Sequence, residues 1–145
     1  GGGGRCVSKV IEWCRDYNVE SSVEFVGALD RKQVVRYMQD CDCFVLPSRY
    51  ETFGVVYIEA FACGKPVIGV KNGGPDDFVN DTNGILIPLF KDENDIEVLV
   101  SSMKEIIENI DKYDSGVIRR YVEERFSADA IAKQLHSVYN EVLCK

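Results

Sequence analysis

The sequence predicts an α/β protein: a doubly wound parallel sheet with helices on both faces and a helical C-terminal tail. Short apolar runs typical of buried strands alternate with segments of helical spacing, and glycine- and proline-rich turns separate them. Beyond Asp92 the apolar residues recur only at three- and four-residue spacing. Strands that are apolar on both faces and alternate with helices form parallel sheets between helical layers. Because the chain has 145 residues, we expect one domain over residues 1–145.

The first half of the chain is predicted to contain two helices and two strands. The helices cover residues 5–17 and a segment for which Asp30 is the N-cap. The strands cover residues 22–26 and 42–46, and Pro47 ends the second.

The second half begins with a helix over residues 55–63 that ends at Gly64. Two further strands follow, at 66–70 and 85–87, with a short helix around 76–79. The remaining helices are predicted after Asp92, near 116–125 and after Ser127, which is the N-cap of the last one. This order is typical of a Rossmann-like layer structure, in which ligands bind beyond the carboxyl ends of the strands. The loops to consider are therefore 27–30, 47–54 and 71–76.

The composition disfavours several classes of protein. Hydrophobic residues make up 46% and charged residues 28%, which is ordinary for a soluble globular protein. The apolar runs are far shorter than the roughly 20 residues of a membrane helix, and the net charge of −7 disfavours a nucleic-acid partner. The six cysteines form no C-x-x-C pair, which disfavours a zinc or thioredoxin-type site. We expect them to be buried, reduced thiols, as in a cytoplasmic protein.

The stretch most informative about function is residues 47–60, which leaves a predicted strand and enters a predicted helix. Free backbone N–H groups and the helix dipole at such a junction favour an anion. Gly54 allows a ligand to approach the main chain closely. Glu51 precedes the helix and Glu59 lies two turns inside it, and carboxylates accept hydrogen bonds from neighbouring sugar hydroxyls. The residues alone indicate a polyol-phosphate ligand, with a solvated helix bearing incidental glutamates as the alternative.

Four segments of the chain together resemble a known family. They read FVLPSRYETFG at residues 44–54, EAFACGKPVI at 59–68, GGP at 73–75 and NGILI at 83–87. They look like the retaining nucleotide-sugar glycosyltransferases of the GT-B fold, that is, the group-1 or family-four glycosyltransferases of capsule, lipopolysaccharide and glycolipid synthesis. The resemblance is to the C-terminal, donor-binding half of that fold, and its central motif is a pair of glutamates separated by seven residues.

The resemblance implies a role for each matching residue. Glu51 is expected near the donor-sugar hydroxyls and the reacting centre, as the catalytic position. Glu59 is expected to bind the ribose hydroxyls of the nucleotide. The other positions expected to contact the donor are Thr52, Phe53, Gly54 and Val55.

The resemblance also implies substrates and partners. The donor would be a UDP-, GDP- or ADP-linked sugar, from which a hexose passes with retention of configuration to a glycan or lipid-linked acceptor; no cofactor or metal is expected. The family has an N-terminal acceptor domain and a basic pair that clamps the diphosphate, both upstream of the matched region. We therefore expect this chain alone to be inactive. Residues 1–4 fall where the family has a glycine-bearing turn, and we interpret them as a truncated turn or a tag remnant. The parent is expected in the cytoplasm, with peripheral association at the inner face of the membrane.

Alternative functions come from two classes. Another GT-B enzyme, such as a sugar-nucleotide epimerase or a glycogen-synthase-like transferase, would share most of these motifs. A non-enzymatic α/β signalling or interaction module is disfavoured, because a receiver domain needs an aspartate at the end of a middle strand. Here Asp40 and Asp42 precede the strand, and Pro47 and Ser48 follow it. Three further candidates are interpreted as structural or as surface residues: Lys65, the pair Asp76 and Asp77, and His136.

Overall fold

The computed structural model describes residues 7–90 and 96–143. The chain divides into two compact units, Gly1–Tyr37 and Met38–Lys145. The prediction of one domain over residues 1–145 stays a prediction.

The first unit consists mainly of helix. Helix α1 covers Val7–Asp16 and buries Cys14, and helix α2, Arg31–Asp40, begins in this unit and ends in the next. Asp30 caps α2 as predicted: its Oδ1 accepts from the Gln33 N–H at 2.9 Å, and the Asp30 N–H donates to Gln33 Oε1, also at 2.9 Å. These reciprocal bonds form a capping box, which satisfies two backbone donors that the first turn leaves free.

The predicted strand at residues 22–26 is wrong. Glu20–Ser22 forms a 3-10 turn, and Val23 is extended (φ −125°, ψ 121°) without belonging to the sheet. An extended segment becomes a strand only when a neighbour takes up its backbone hydrogen bonds. Within the described residues the sheet consists of three other strands, which do not include residues 22–26.

The second unit is built on that small parallel sheet. Strand β1 is Phe44–Val45, β2 is Val67–Val70 and β3 is Gly84–Ile87, in the order β1-β2-β3. The predicted strands at 42–46, 66–70 and 85–87 are thereby confirmed, although β1 is shorter than expected. Pairing continues one residue past β1, where the Leu46 N–H donates to the Ile68 carbonyl at 2.9 Å.

Helices cover both faces of the sheet, as predicted. They are α3 (Val55–Ala62) and α5 (Ser115–Phe126) on one face and α4 (Ile96–Glu108) on the other, whereas the C-terminal α6 (Ala128–Leu143) packs against α5. Because side chains alternate along a strand, Val67 joins a cluster with Phe61 of α3 and Ile118 of α5, whereas Ile68 joins Ile106 of α4 on the other face.

The ends of the helices in the second unit are set by residues close to them in the sequence. Gly64 adopts φ +74° just after α3, as a helix-ending glycine should. The short helix expected around 76–79 is only a 3-10 turn, Pro75–Asp77, because Phe78 and Val79 leave it to enter the core. The Ser127 hydroxyl caps α6 by accepting from the Ala130 N–H at 3.2 Å.

Candidate functional site

Two loops leave the carboxyl ends of β1 and β2 and lie against each other. We call residues 47–54 the site loop and residues 71–74 the β2 turn. The Asn72 side-chain amide donates to the Ser48 carbonyl at 2.9 Å, and its oxygen accepts from the Gly74 N–H at 3.3 Å. A Cβ added at Gly74 would lie 2.9 Å from the Glu51 carbonyl oxygen and 3.0 Å from the Glu51 Cβ. Glycine at this position therefore lets the β2 turn pack directly on the backbone that carries Glu51.

The site loop enters α3 through Gly54. This residue has φ 85° and ψ 49°, a conformation that favours glycine, and no side chain caps the helix that follows. The first amides of an uncapped helix carry unsatisfied donors and the positive end of the helix dipole. The turn into α3 can therefore receive an anion at its backbone.

The carboxylates predicted for the site lie on either side of this turn. Glu51 is half-buried in the site loop, and Glu59 is half-buried on the second turn of α3. Neither carboxylate takes part in a hydrogen bond or an ion pair with any residue in the described part of the chain. Both therefore keep their acceptor capacity for a ligand.

The remaining predicted positions differ in what they can offer. The side chains of Thr52 and Val55 are exposed, and Gly54 is buried. The Phe53 ring packs against Phe78, with ring centroids 5.4 Å apart, and against Phe126 at 6.2 Å. The ring is still 45% exposed, so it contributes to packing without being buried.

Tyr57 lies behind the site loop and was not predicted from the sequence. It is fully buried, and its hydroxyl donates to the Leu46 carbonyl at 2.9 Å. Burial and, secondarily, the charge of Glu51 raise the pKa of Tyr57 to about 12. The only signal in the sequence is a tyrosine three residues after a glycine, at a position that the helical pattern assigns to the core.

Other parts of the described structure offer weaker candidates for a metal or ligand site. No cluster of three or more metal-ligating side chains occurs in residues 7–90 and 96–143, and Asp76 and Asp77 are exposed on their 3-10 turn. A groove of about 460 Å³ runs along β3 and is lined by Lys71, Asp81 and Glu105 among others, but by none of the predicted site residues. No helix in the described part of the chain is long and apolar enough to cross a membrane.

The cysteines whose surroundings are described carry free thiols. They are Cys14, Cys41, Cys43 and Cys63, of which the first and last are buried and the other two half-buried. Burial raises the pKa of the Cys43 thiol to about 12. Cys6 and Cys144 lie outside the described residues, as do residues 1–4 of the predicted glycine turn.

Comparison with known families and curated proteins gives consistent matches. The family model described as "Glycosyl transferases group 1" matches residues 1–125. An uncharacterized glycosyltransferase of Methanocaldococcus jannaschii is 30% identical over 143 residues, which cover 97% of this chain and 39% of that protein. A GDP-mannose-dependent mannosyltransferase of Corynebacterium glutamicum is 27% identical, with 94% of this chain and 37% of that protein covered. The chain thus spans less than two fifths of the length of these relatives.

Solved structures confirm the predicted GT-B-like α/β fold. Sucrose-phosphate synthase from Thermosynechococcus elongatus superposes with a TM-score of 0.76 at 29% identity, covering 99% of this chain and 37% of that one. HepE of Anabaena, solved in complex with UDP, superposes with a TM-score of 0.70 at 25% identity, covering 93% of this chain and 36% of that one.

Proposed function

Because this chain belongs to the glycosyl transferases group 1 family, we propose that it is the donor-binding part of a retaining glycosyltransferase. The whole protein would move a hexose from a nucleoside diphosphate sugar to a glycan or lipid-linked acceptor. One observation carries the proposal: an uncapped helix N-terminus lies between two half-buried carboxylates that have no internal partner among the described residues.

The diphosphate would bind at the first turn of α3. No side chain makes a capping hydrogen bond at the helix N-terminus, and Gly54 supplies the left-handed backbone conformation from which α3 starts. Backbone N–H groups and the helix dipole stabilise negative charge at such a place. The same groups would stabilise the diphosphate as it departs from the sugar, so positioning and electrostatics would supply the rate enhancement.

Glu59 would bind the ribose. It lies four residues after Val55 on α3, which is one helical turn and about 6 Å along the axis. Residues four apart share a helix face, and helical side chains lean towards the N-terminus. Its carboxylate is therefore directed back towards the turn at Gly54, where two ribose hydroxyls could donate to it.

Glu51 would face the donor sugar and the reacting centre. It precedes the helix and is held on its backbone side by Gly74 of the β2 turn. Thr52, Phe53 and Val55 would complete the contacts, the first through its hydroxyl and the others through their backbone N–H groups.

The base of the nucleotide and the acceptor are open to experiment. A structural relative was solved with UDP, whereas a curated relative is GDP-mannose-dependent, so both bases belong in the test together with ADP. The greater length of the relatives supports an acceptor domain elsewhere in the parent protein. We place that parent in the cytoplasm, at the inner face of the membrane, in capsule, lipopolysaccharide or exopolysaccharide synthesis.

Calorimetric titration of this chain with UDP, GDP and ADP tests nucleotide binding. We expect this chain to bind at least one of them weakly, with a Kd from roughly 100 μM to millimolar. Glu59→Gln should weaken that binding by about 1–3 kcal/mol, because a charged acceptor of hydrogen bonds is lost. Glu123→Gln, at an exposed glutamate of α5, is the matched control and should change nothing. If Glu59→Gln binds as tightly as wild type, Glu59 is not part of the site.

Kinetics on the full-length parent separate the two carboxylates. Glu51→Gln should lower kcat and leave the affinity for the bare nucleotide nearly unchanged, whereas Glu59→Gln should raise the donor KM. The present chain alone should transfer no sugar. Identical kinetic profiles for the two variants would refute the division of roles, and transfer by the chain alone would refute the need for a second domain.

A glycogen-synthase-like transferase is the second candidate function. Glycogen synthase of Mycobacterium tuberculosis is 38% identical over 65 residues, which cover 45% of this chain. Assaying the full-length parent with an α-glucan acceptor distinguishes the two, since only the second candidate should elongate it.

A further inference from the structure

Tyr57 connects the two ends of the site loop. Its backbone belongs to the first turn of α3, where the site loop ends, and its hydroxyl reaches the Leu46 carbonyl, where β1 ends. The Leu46 N–H is still part of the sheet, since it donates to the Ile68 carbonyl at 2.9 Å. Leu46 is therefore anchored to the sheet on one side and to Tyr57 on the other. The eight residues of the site loop run between these two anchored points.

The tyrosine ring has room only because two glycines face it. A Cβ added at Gly54 would lie 2.6 Å from Tyr57 Cδ2, and one added at Gly69 would lie 2.9 Å from the Tyr57 hydroxyl oxygen. The ring also packs edge-on against Phe44, with centroids 6.0 Å apart, and near Phe78 at 6.4 Å. Such enclosure leaves the side chain one position, so the hydroxyl is directed at Leu46 permanently.

A hydrogen bond at this place restricts the loop more than an average bond would. A loop held rigidly at both ends has fewer conformations than one hinged at a free carbonyl. Asn72 and Gly74 hold the middle of the same loop through Ser48 and Glu51. The Tyr57 hydrogen bond restrains the loop at Leu46, where it leaves β1; we call this point the root of the loop. A small rotation there would displace all the loop residues that follow.

We propose that Tyr57 is a positioning residue of the donor site, whose buried hydroxyl holds the root of the site loop so that Glu51 and the turn at Gly54 are arranged for a nucleoside diphosphate sugar. This inference rests on the proposed function, because it assigns the loop to donor binding. Tyr57 itself is fully buried and touches no ligand.

Tyr57→Phe tests the proposal, because it removes one oxygen atom and keeps the ring. Tyr113→Phe is the control: Tyr113 is a half-buried tyrosine that packs against the hydrophobic clusters on both faces of the sheet and lies outside the site loop. Two quantities are measured on each variant of this chain. One is amide hydrogen exchange at the two ends of the loop, where the Leu46 N–H donates to Ile68 and the N–H of residue 57 donates to Gly54, each at 2.9 Å. The other is the Kd for UDP, with GDP and ADP as further probes.

We expect Tyr57→Phe to speed exchange of these two amides about 3- to 10-fold, the effect of losing one buried hydrogen bond. Amides of α4 and α5 should keep their rates. The Kd for the nucleotide that wild type binds should rise by a similar factor, while Tyr113→Phe leaves both quantities unchanged. A tyrosine that only supported the fold would lower the unfolding midpoint without moving the affinity of the folded protein.

The two measurements separate failure of this inference from failure of the proposed function. Unchanged exchange at both ends of the loop overturns the inference whatever the nucleotides do. Faster exchange with an unchanged Kd overturns it as well, because the loop would then move without consequence for the donor. If wild type binds none of the three nucleotides, the proposed function fails, and the exchange data still decide whether Tyr57 holds the loop.

Discussion

Replacing Gly54 with alanine should destabilise the second unit by about 2–5 kcal/mol. Two costs combine. Gly54 has φ 85° and ψ 49°, and an L-residue in the left-handed region costs roughly 1–2 kcal/mol. The added Cβ would also lie 2.6 Å and 2.9 Å from two atoms of the Tyr57 ring, which is fully buried and cannot swing aside. Forcing a methyl group into such packing costs about 1–3 kcal/mol.

Gly73 provides the control that separates these costs. Its φ is +98°, so alanine there is at least as strained, but nothing lies within 4 Å of an added Cβ. Gly73→Ala should therefore cost only about 1–2 kcal/mol, the conformational part. A double variant checks the assignment of the rest: in a Tyr57→Leu background, Gly54→Ala should lose most of its steric cost, giving a coupling energy of about 1–3 kcal/mol.

Urea unfolding, followed by circular dichroism, is measured on wild type and on the four variants: the three single substitutions and the double variant. The slope m must stay constant so that the midpoints report stability. Equal free-energy losses for Gly54→Ala and Gly73→Ala would show that the contact with Tyr57 carries no steric cost. If the free-energy losses of Gly54→Ala and Tyr57→Leu simply add in the double variant, the contact again carries no steric cost. Either result would refute the arrangement of Gly54 against Tyr57 on which the site geometry depends.

Two further predictions concern the neighbouring loops and the buried acids. Asn72→Ala should lower stability by about 0.5–1.5 kcal/mol, because the bond to the Ser48 carbonyl is lost; an unchanged urea midpoint would contradict that bond. Stability should also fall at alkaline pH, because burial raises the pKa of the Cys43 thiol and of the Tyr57 hydroxyl to about 12, from 9.0 and 10.0. The folded state therefore binds both protons more tightly than the unfolded state does. The stabilisation that results is complete below about pH 9 and is lost as the pH rises towards 12. Urea midpoints at about pH 8 and about pH 11 measure the loss, which Cys43→Ala should reduce; equal midpoints would argue against buried, protonated groups.

Features that depend on a few adjacent residues could be predicted from the sequence. Asp30 and Ser127 were identified as N-caps and Gly64 as a helix end, and the structure confirms all three. In each case the backbone group is satisfied, or the special φ is adopted, within about four residues of the side chain concerned. The strand at 22–26 failed for the complementary reason, since a strand requires a partner that its own residues do not specify.

The candidate site also combines features that could be predicted from adjacent residues with features that could not. Glu51, Gly54 and Glu59 were identified because they lie in one continuous stretch whose spacing and resemblance indicate donor binding. Tyr57 supports that stretch and was missed. The loop that holds Asn72 and Gly74 was identified, but their contacts with the stretch were not predicted, because the partners lie far away in the sequence. Tyr57 bonds a carbonyl 11 residues earlier, and Asn72 one 24 residues earlier.

The sequence by itself therefore determined the α/β class, the positions of most helices and strands, the family, and the two carboxylates proposed for the donor. Only the tertiary structure decided which loops meet, that Gly74 lies on the backbone of Glu51, and that the Tyr57 hydroxyl reaches Leu46. The physical reason is that periodicity and capping are local properties of the chain. Contacts at the carboxyl ends of parallel strands form only after the sheet has brought distant segments side by side.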